Sequence, residues 1–321
     1  MTTFVDLLFV GLGLGAVFSL LGLSFALIFR VTHIFHFAHG GVFAIAAYVF
    51  YTLSTQHGLP IVLGILGAMA GAAIAGCAIY LLLYQPLERR RTRMLGMFVT
   101  ALGMLVIIEN GLSLIFTSSP QYVTPNALAA PLLRSGEIVL PRIDALELGV
   151  AAFVIALVAL VWNRTRVGLV LRAIETNRDL AETLGVRYDL YACVAFALGS
   201  AVVAVAAVLQ SLTLSITPFI GTSAMIDAFV AMVIGGTGSI WAAAAGGMIL
   251  GIAQTIPLEW ISGSWINAVS FGLLIAVLLF RPNGLVSGVR KSKRRSNSNR
   301  RPGAGLGQFL ARTKQEAGTI P

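Results

Sequence analysis

Few residues in this chain could do chemistry, and most of them lie inside apolar sequence. Glu109, followed by Asn110, sits within the run Met94 to Phe116. A carboxyl group at bilayer depth is costly, so it normally faces a cavity or a partner. Glu109 is therefore a candidate lining for a polar solute's path, with a hydrogen bond to a neighbouring helix as the alternative. Asn110 follows the same reasoning. Asp227 opens the segment Ile226 to Ile240, either as a path residue or as a helix-starting acid favoured by the dipole. His33, His36 and His39 recur every three residues. On one helix the first and third would lie about 9 Å apart along the axis, which suits chelation poorly. No metal site is assigned. His39 reads instead as a polar hinge or packing residue near the cytoplasmic end of the second apolar run, and it joins the path candidates.

Other chemistries are excluded more simply. No Gly-x-x-x-x-Gly-Lys-Ser/Thr segment occurs, so nucleotide chemistry belongs on another chain and no cofactor is assigned to this one. The dinucleotide-like spacing Gly11-x-Gly13-x-x-Ala16 lies in an apolar run, where close helix packing explains it. Cys77 and Cys193 sit in apolar segments and read as small buried hydrophobes rather than a disulfide framework.

The elements that must position these residues are membrane helices. Of 321 residues, 57% are hydrophobic and 11% charged, against roughly 25% charged in soluble domains. Apolar runs cover Leu7 to Phe29, Phe35 to Leu53, Leu59 to Tyr84, Met94 to Phe116, Ala145 to Trp162, Leu190 to Leu212, Ile226 to Ile240, Trp241 to Ile256 and Trp265 to Phe280. A span needs about 20 residues. The fold class is thus all-α: a polytopic transmembrane bundle of eight or nine spans over residues 1–286. Met1 to Leu8 holds Asp6 and no basic residue, so no cleaved signal is expected.

Charge sets the orientation. Arg89 to Arg93, Arg164 to Arg187 and Arg290 to Arg301 lie at the ends of apolar runs and should be cytoplasmic. The net charge of +9 is therefore a membrane-flanking feature and not a nucleic-acid footprint. The polar loop Thr117 to Asp144 reads as extracytoplasmic. Parity then requires the short segment Ile226 to Ile240 to cross and places the N-terminus outside. The basic, Ser/Asn-rich tail, 287–321, has the composition of a disordered segment.

One charged stretch stands apart, 163–189. Asp179 with Glu182 fits a capping box, Thr176 competes as the cap, and Gly185 fits a helix stop. Ile174, Ala181 and Leu184 form a modest apolar stripe. Two or three turns are too short to be stable alone in water, so this helix must pack on something: its own bundle, lipid headgroups or another protein.

Four motifs, in order, then give the chain a likeness. Phe37-Ala-His-Gly40, Leu171-Arg-Ala-Ile174 with Ala181-Glu-Thr-Leu-Gly-Val186, Val233-Ile-Gly-Gly-Thr-Gly-Ser239, and Phe280-Arg-Pro-Asn-Gly-Leu285 resemble segments of the inner-membrane permease subunits of bacterial branched-chain amino-acid ABC importers. The resemblance spans roughly residues 5 to 286, with His36 standing where the family motif has Asn. It implies a multi-pass subunit of the bacterial inner membrane that is not itself an enzyme. It further implies a second permease subunit, identical or related, two ATPase subunits that use ATP, and an extracytoplasmic solute-binding protein. The charged stretch would be the cytoplasmic coupling helix, with Arg172, Glu175, Asp179, Glu182 and Gly185 as its ATPase-coupling residues. The same class also carries urea, amides and other small solutes. An ion-coupled secondary transporter is the competing class, but it often shows inverted repeats and intramembrane charged pairs, and neither is evident here.

Overall fold

The computed structural model describes residues 4–123, 131–135, 138–260 and 262–286. The tail expected to be disordered lies outside the described residues. The chain folds as α1 (Phe4–Thr32), α2 (His39–Tyr51), α3 (Ile61–Ile79), α4 (Gln85–Arg89), α5 (Met94–Phe116), β1 (Pro131–Ser135), β2 (Ile138–Pro141), α6 (Arg142–Arg164), α7 (Arg166–Thr176), α8 (Arg178–Thr183), α9 (Tyr188–Thr213), α10 (Ile220–Gly235), α11 (Ile240–Thr255) and α12 (Ile266–Phe280).

Among the described residues seven helices are long and apolar enough to cross a bilayer. They are α1, α3 continued through a π-helical turn and α4, α5, α6, α9, α11 with its 3-10 extension, and α12 with its 3-10 lead-in. The two remaining apolar runs form shorter helices. Helix α2 has 13 residues and continues as a π-helix, Thr52–Gln56, and α10 has 16. Both are short because they begin inside the bundle. The fold class is all-α as expected, with one short antiparallel pair, β1–β2, in the loop before α6, where the β-branched Ile138 and Val139 favour strand.

Helix α1 is the central post, with 83% of its spanning window buried. Gly11 meets Ile252 and Thr255, Gly15 meets Met248, and Gly22 meets Ala243, so α11 runs antiparallel along α1. A Cβ at Gly247 would lie 2.3 Å from the Phe18 carbonyl, so a glycine is what lets these backbones touch. Helix α9 packs on another side of α1 through Gly199 against Ile28. It also carries α3, with Gly76 over Ser200 and Tyr80 over Phe196. Cys77 and Cys193, expected as separate hydrophobes, are instead joined as a disulfide across α3 and α9, with a Cα separation of 5.1 Å. Residues 116 apart in sequence gave no spacing by which to pair them.

The first two of the segments assigned to the cytoplasm by their charge meet at one end of the bundle, while Arg290 to Arg301 lie outside the described residues. Arg89 pairs with Asp189, Arg178 with Glu88 and Arg30 with Glu175. The Leu285 amide donates to the Ile234 carbonyl there. At the other end Gln121 bridges Ile216 and accepts from the Tyr51 hydroxyl. The stretch from Ile216 to Thr237, which includes α10, therefore runs from one end to the other.

Candidate functional site

The coupling stretch folds as two helices. Thr165 caps α7 by accepting from the Gly168 amide at 3.1 Å. Asn177, in an extended conformation, ends α7 and caps α8 by accepting from the Leu180 amide at 3.0 Å. The expected caps, Thr176 and Asp179, are displaced by this residue. Thr176 instead donates back to the Arg172 carbonyl, and Asp179 lies in the first turn of α8. Gly185, at φ +88°, ends α8. Its amide donates to Glu182, and the Val186 amide to Ala181, which is the double contact of a glycine-terminated helix.

The break at Asn177 sorts the stripe into two faces. Leu171, Ile174 and Ala181 are buried against the bundle. Leu184, expected beside them, is 76% exposed, and Leu180, one turn before it, is 56% exposed. Two leucines at i and i+4 form one outward apolar pad. Leu180 was not singled out in the sequence, although its spacing to Leu184 was the available signal.

The charged residues mostly serve to hold this pad in place. Arg172 donates to the Trp162 carbonyl and to Asn163. Glu175 is paired with Arg30. Glu182 accepts from Arg178 at 2.9 Å, and the same guanidinium reaches Glu88 at 3.0 Å and lies 3.3 Å over the Tyr188 ring. Burial alone would lower the Arg178 pKa, but the carboxylates of Glu182 and Glu88 and the Tyr188 hydroxyl outweigh it and hold the guanidinium above its ordinary value. Of the five coupling candidates, Arg172, Glu175 and Glu182 are thus engaged within the chain, while Asp179 and Gly185 are exposed. Arg30 reads in the sequence as a lone charge at a helix end, and Glu88 is masked by the basic run Arg89 to Arg91 that follows it.

The intramembrane candidates separate as well. Helix α1 ends at Thr32, and His33, at φ +56°, turns the chain back along it. The residues 33–38 form no helix, so the three histidines never share one. His33 stands against Phe29, whereas His36 and His39 are buried with ring centroids 5.4 Å apart. His36 is 2.9 Å from the Tyr84 hydroxyl, and His39 Nε2 is 2.9 Å from Ser24 Oγ. Ser24 lies six residues before Arg30, about 9 Å along the helix. Thus α2 starts beside Ser24 rather than level with Arg30, with His39 as its first residue. Among the described residues no group of three or more metal-ligating side chains converges.

Glu109 is buried and accepts a hydrogen bond from Thr222 at 2.7 Å. This contact lies beside the place where α2 and α10 begin. A Cβ on Gly40 would fall 2.3 Å from the Gly221 carbonyl, and one on Gly221 would fall 3.4 Å from Glu109 Oε1. Two interrupted helices and a carboxylate therefore meet inside the bundle, with Thr222 and Ser223 exposed at its edge. Irregular backbone at such depth occurs where it is buried in protein or lines a cavity. Asn110 points outward and donates to its own helix, at Val106. Asp227 is the eighth residue of α10 and not a helix-starting acid, because α10 begins at Ile220. It accepts from Gln254, which also donates to Ser270, so it ties α10 to α11 and α12. The structure brings Glu109 next to Gly221, which meets Gly40, the residue after His39. It does not bring Asn110 or Asp227 there.

A family model described as the permease component of branched-chain amino acid transport systems matches residues 7–278. The high-affinity branched-chain amino acid transport system permease protein LivH of Escherichia coli K12 is 30% identical over 306 residues, covering 88% of this chain and 95% of that one. The corresponding protein BraD of Pseudomonas aeruginosa is 32% identical over 289 residues, covering 86% and 93%. Among solved structures, PsaBC from Streptococcus pneumoniae in complex with Fab aligns at a TM-score of 0.49 and 14% identity, covering 87% of this chain and 91% of that one.

Proposed function

This chain belongs to the branched-chain amino acid transport permease family, and on that premise we propose that it is the membrane-spanning subunit of an ATP-driven importer for branched-chain amino acids. It is a multi-pass inner-membrane protein. A second permease subunit, homologous or identical, pairs with it. Two ATPase subunits dock at the end where its basic segments gather, and an extracytoplasmic binding protein delivers solute at the other. ATP is used by the partners.

The observation that carries this reading is the pad of Leu180 and Leu184. Two exposed leucines project from α8, whose other side is anchored by the buried Ala181 and by the Arg178–Glu88 pair, while Ile174 anchors the preceding α7. We read these two exposed leucines, one turn apart on a segment whose other exposed residues are polar, as a protein contact. Asp179 and Gly185 flank the pad and complete the surface, and Arg172, Glu175 and Glu182 keep it from yielding when pushed. Nucleotide-driven movement of an ATPase would then be passed to α1 and the bundle.

The polar cluster of Glu109, Thr222 and the starts of α2 and α10 is our proposed portion of the solute path, with His39 positioning the start of α2. A carboxylate beside an exposed hydroxyl gives an amino-acid solute a polar step inside the bundle. The path reading is tested by uptake normalised to assembled complex in Glu109→Leu. Lowered normalised uptake supports it, while full normalised uptake with a lower complex yield rejects it.

A further inference from the structure

Arg30 occupies an unusual position. It is the last charged residue of the central post α1, and its side chain is 18% exposed. One guanidinium nitrogen, Nη2, pairs with Glu175 on α7. The other, Nη1, donates to the Thr237 carbonyl at 2.8 Å. Thr237 lies in the glycine turn between α10 and α11. That turn is itself held, because the Leu285 amide donates to Ile234 at 2.7 Å and the Val286 amide to Gly235. Gly284 and Gly236, both at positive φ, come so close that a Cβ on Gly284 would lie 2.3 Å from the Gly236 Cα. One planar side chain thus joins the coupling helix, the central post and the α10–α11 turn, and that turn holds the segment after α12 through its backbone.

We infer that Arg30 is a positioning residue that makes α7 and the α10–α11 turn move as one body, so that a push on α7 reaches α10 directly. The inference rests on the importer reading, and it deepens that reading by naming the route of the push. The chemistry suits arginine. Its fork presents donors in two fixed directions, and a lysine ammonium on a flexible stem holds two separated acceptors less well. Glu175 is 19% exposed and turned into this contact, so its contribution is internal rather than a contact with the ATPase. Because α10 starts beside Glu109, displacement of the Thr237 end acts along the helix that carries Thr222.

Two measurements test this on the whole protein. The first is hydrogen–deuterium exchange of the purified full chain in lipid nanodiscs, comparing wild type with Arg30→Gln and Arg30→Lys. In Arg30→Gln we expect amide exchange to rise together in the segments covering 166–176 and 234–239, by about tenfold, with α3 unchanged. Arg30→Lys should give a smaller rise. Loosening of one segment alone, or no change in either, overturns the inference. This arm needs no ATPase, so it decides the strut even if the importer reading fails. The second arm is the co-expressed transporter complex in proteoliposomes. Arg30→Gln should hydrolyse ATP at close to the wild-type rate while solute moved per ATP falls about tenfold. The Arg30→Glu/Glu175→Arg exchange should recover part of that loss. A wild-type ratio of uptake to hydrolysis in Arg30→Gln contradicts the inference. Absence of any ATP-driven uptake in wild type contradicts the importer reading instead.

Discussion

The cytoplasmic end of the bundle and its intramembrane polar cluster solve opposite problems with opposite means. At the end, long charged side chains reach across gaps: Arg30 to Glu175, Arg178 to Glu88, Arg89 to Asp189. Each joins elements distant in sequence, and the Arg178–Glu88 pair fixes α8, which carries two exposed leucines among its charges. Inside the bundle no such pairs are used at the corresponding contacts. Gly40 and Gly221 put backbone on backbone, and Glu109 accepts from a neutral hydroxyl. Water at the end makes charge tolerable, and its absence inside makes close fit the available device. The comparison teaches that the working surface in each region is the exception to its surroundings: leucines among charges at one, a carboxylate among apolar helices at the other.

If that is right, the leucine pad should be the most sensitive point of the end region. Burying an exposed leucine contributes about 1.5–3 kcal/mol, so losing two should weaken ATPase association by about a hundredfold or more. The Leu180→Asp/Leu184→Asp chain should reach the membrane at normal abundance and fail to co-purify its ATPase. Undiminished co-purification would remove the pad from the account. Inside the bundle, Gly40→Ala should be costly because its new methyl group falls 2.3 Å from the Gly221 carbonyl. Overpacking of this kind costs about 1–3 kcal/mol, seen as a lowered thermal midpoint of the detergent-solubilised protein. An unchanged midpoint would mean that the two helix starts are not in close contact.

Glu109→Leu should reduce uptake per assembled complex about tenfold, with complex yield changing less. The smallest effect is expected from the charges themselves. Arg89 is 68% exposed and its partner Asp189 46%, and an exposed ion pair is worth roughly 0–1 kcal/mol. Arg89→Gln should therefore lower the thermal midpoint only slightly and leave ATPase co-purification intact. A loss of co-purification as large as that of the leucine variant would erase the contrast between frame and pad.

The legible and illegible parts of the sequence follow the same division. Long apolar runs announced the bundle, and basic clusters told which ends meet, because both signals are local. Gly185 was readable as a stop because a left-handed turn favours glycine. The breaks were harder. Nothing in the sequence before α2 forbids helix outright, and it is His33 at positive φ, with His39 drawn to Ser24, that sets where α2 starts. Asp227 was misplaced at a helix start because the preceding loop residues are polar enough to look irregular, whereas α10 begins seven residues earlier. The division of α7 from α8 turned on Asn177, a residue that caps one helix by ending another. Pairings such as Cys77 with Cys193 and Arg30 with Thr237 join residues more than a hundred positions apart, and no local pattern encodes them.

The central claim is that an outside ATPase drives this chain through the pad on α8. The most direct measurement is uptake of radiolabelled leucine into proteoliposomes holding the co-expressed complex and its binding protein, with ATP supplied on the ATPase side. The account predicts saturable uptake that needs ATP and the binding protein in wild type, and none above background in Leu180→Asp/Leu184→Asp at equal permease abundance. Equal ATP-dependent uptake by the two, or uptake by this chain alone driven by an ion gradient without ATP, would contradict it.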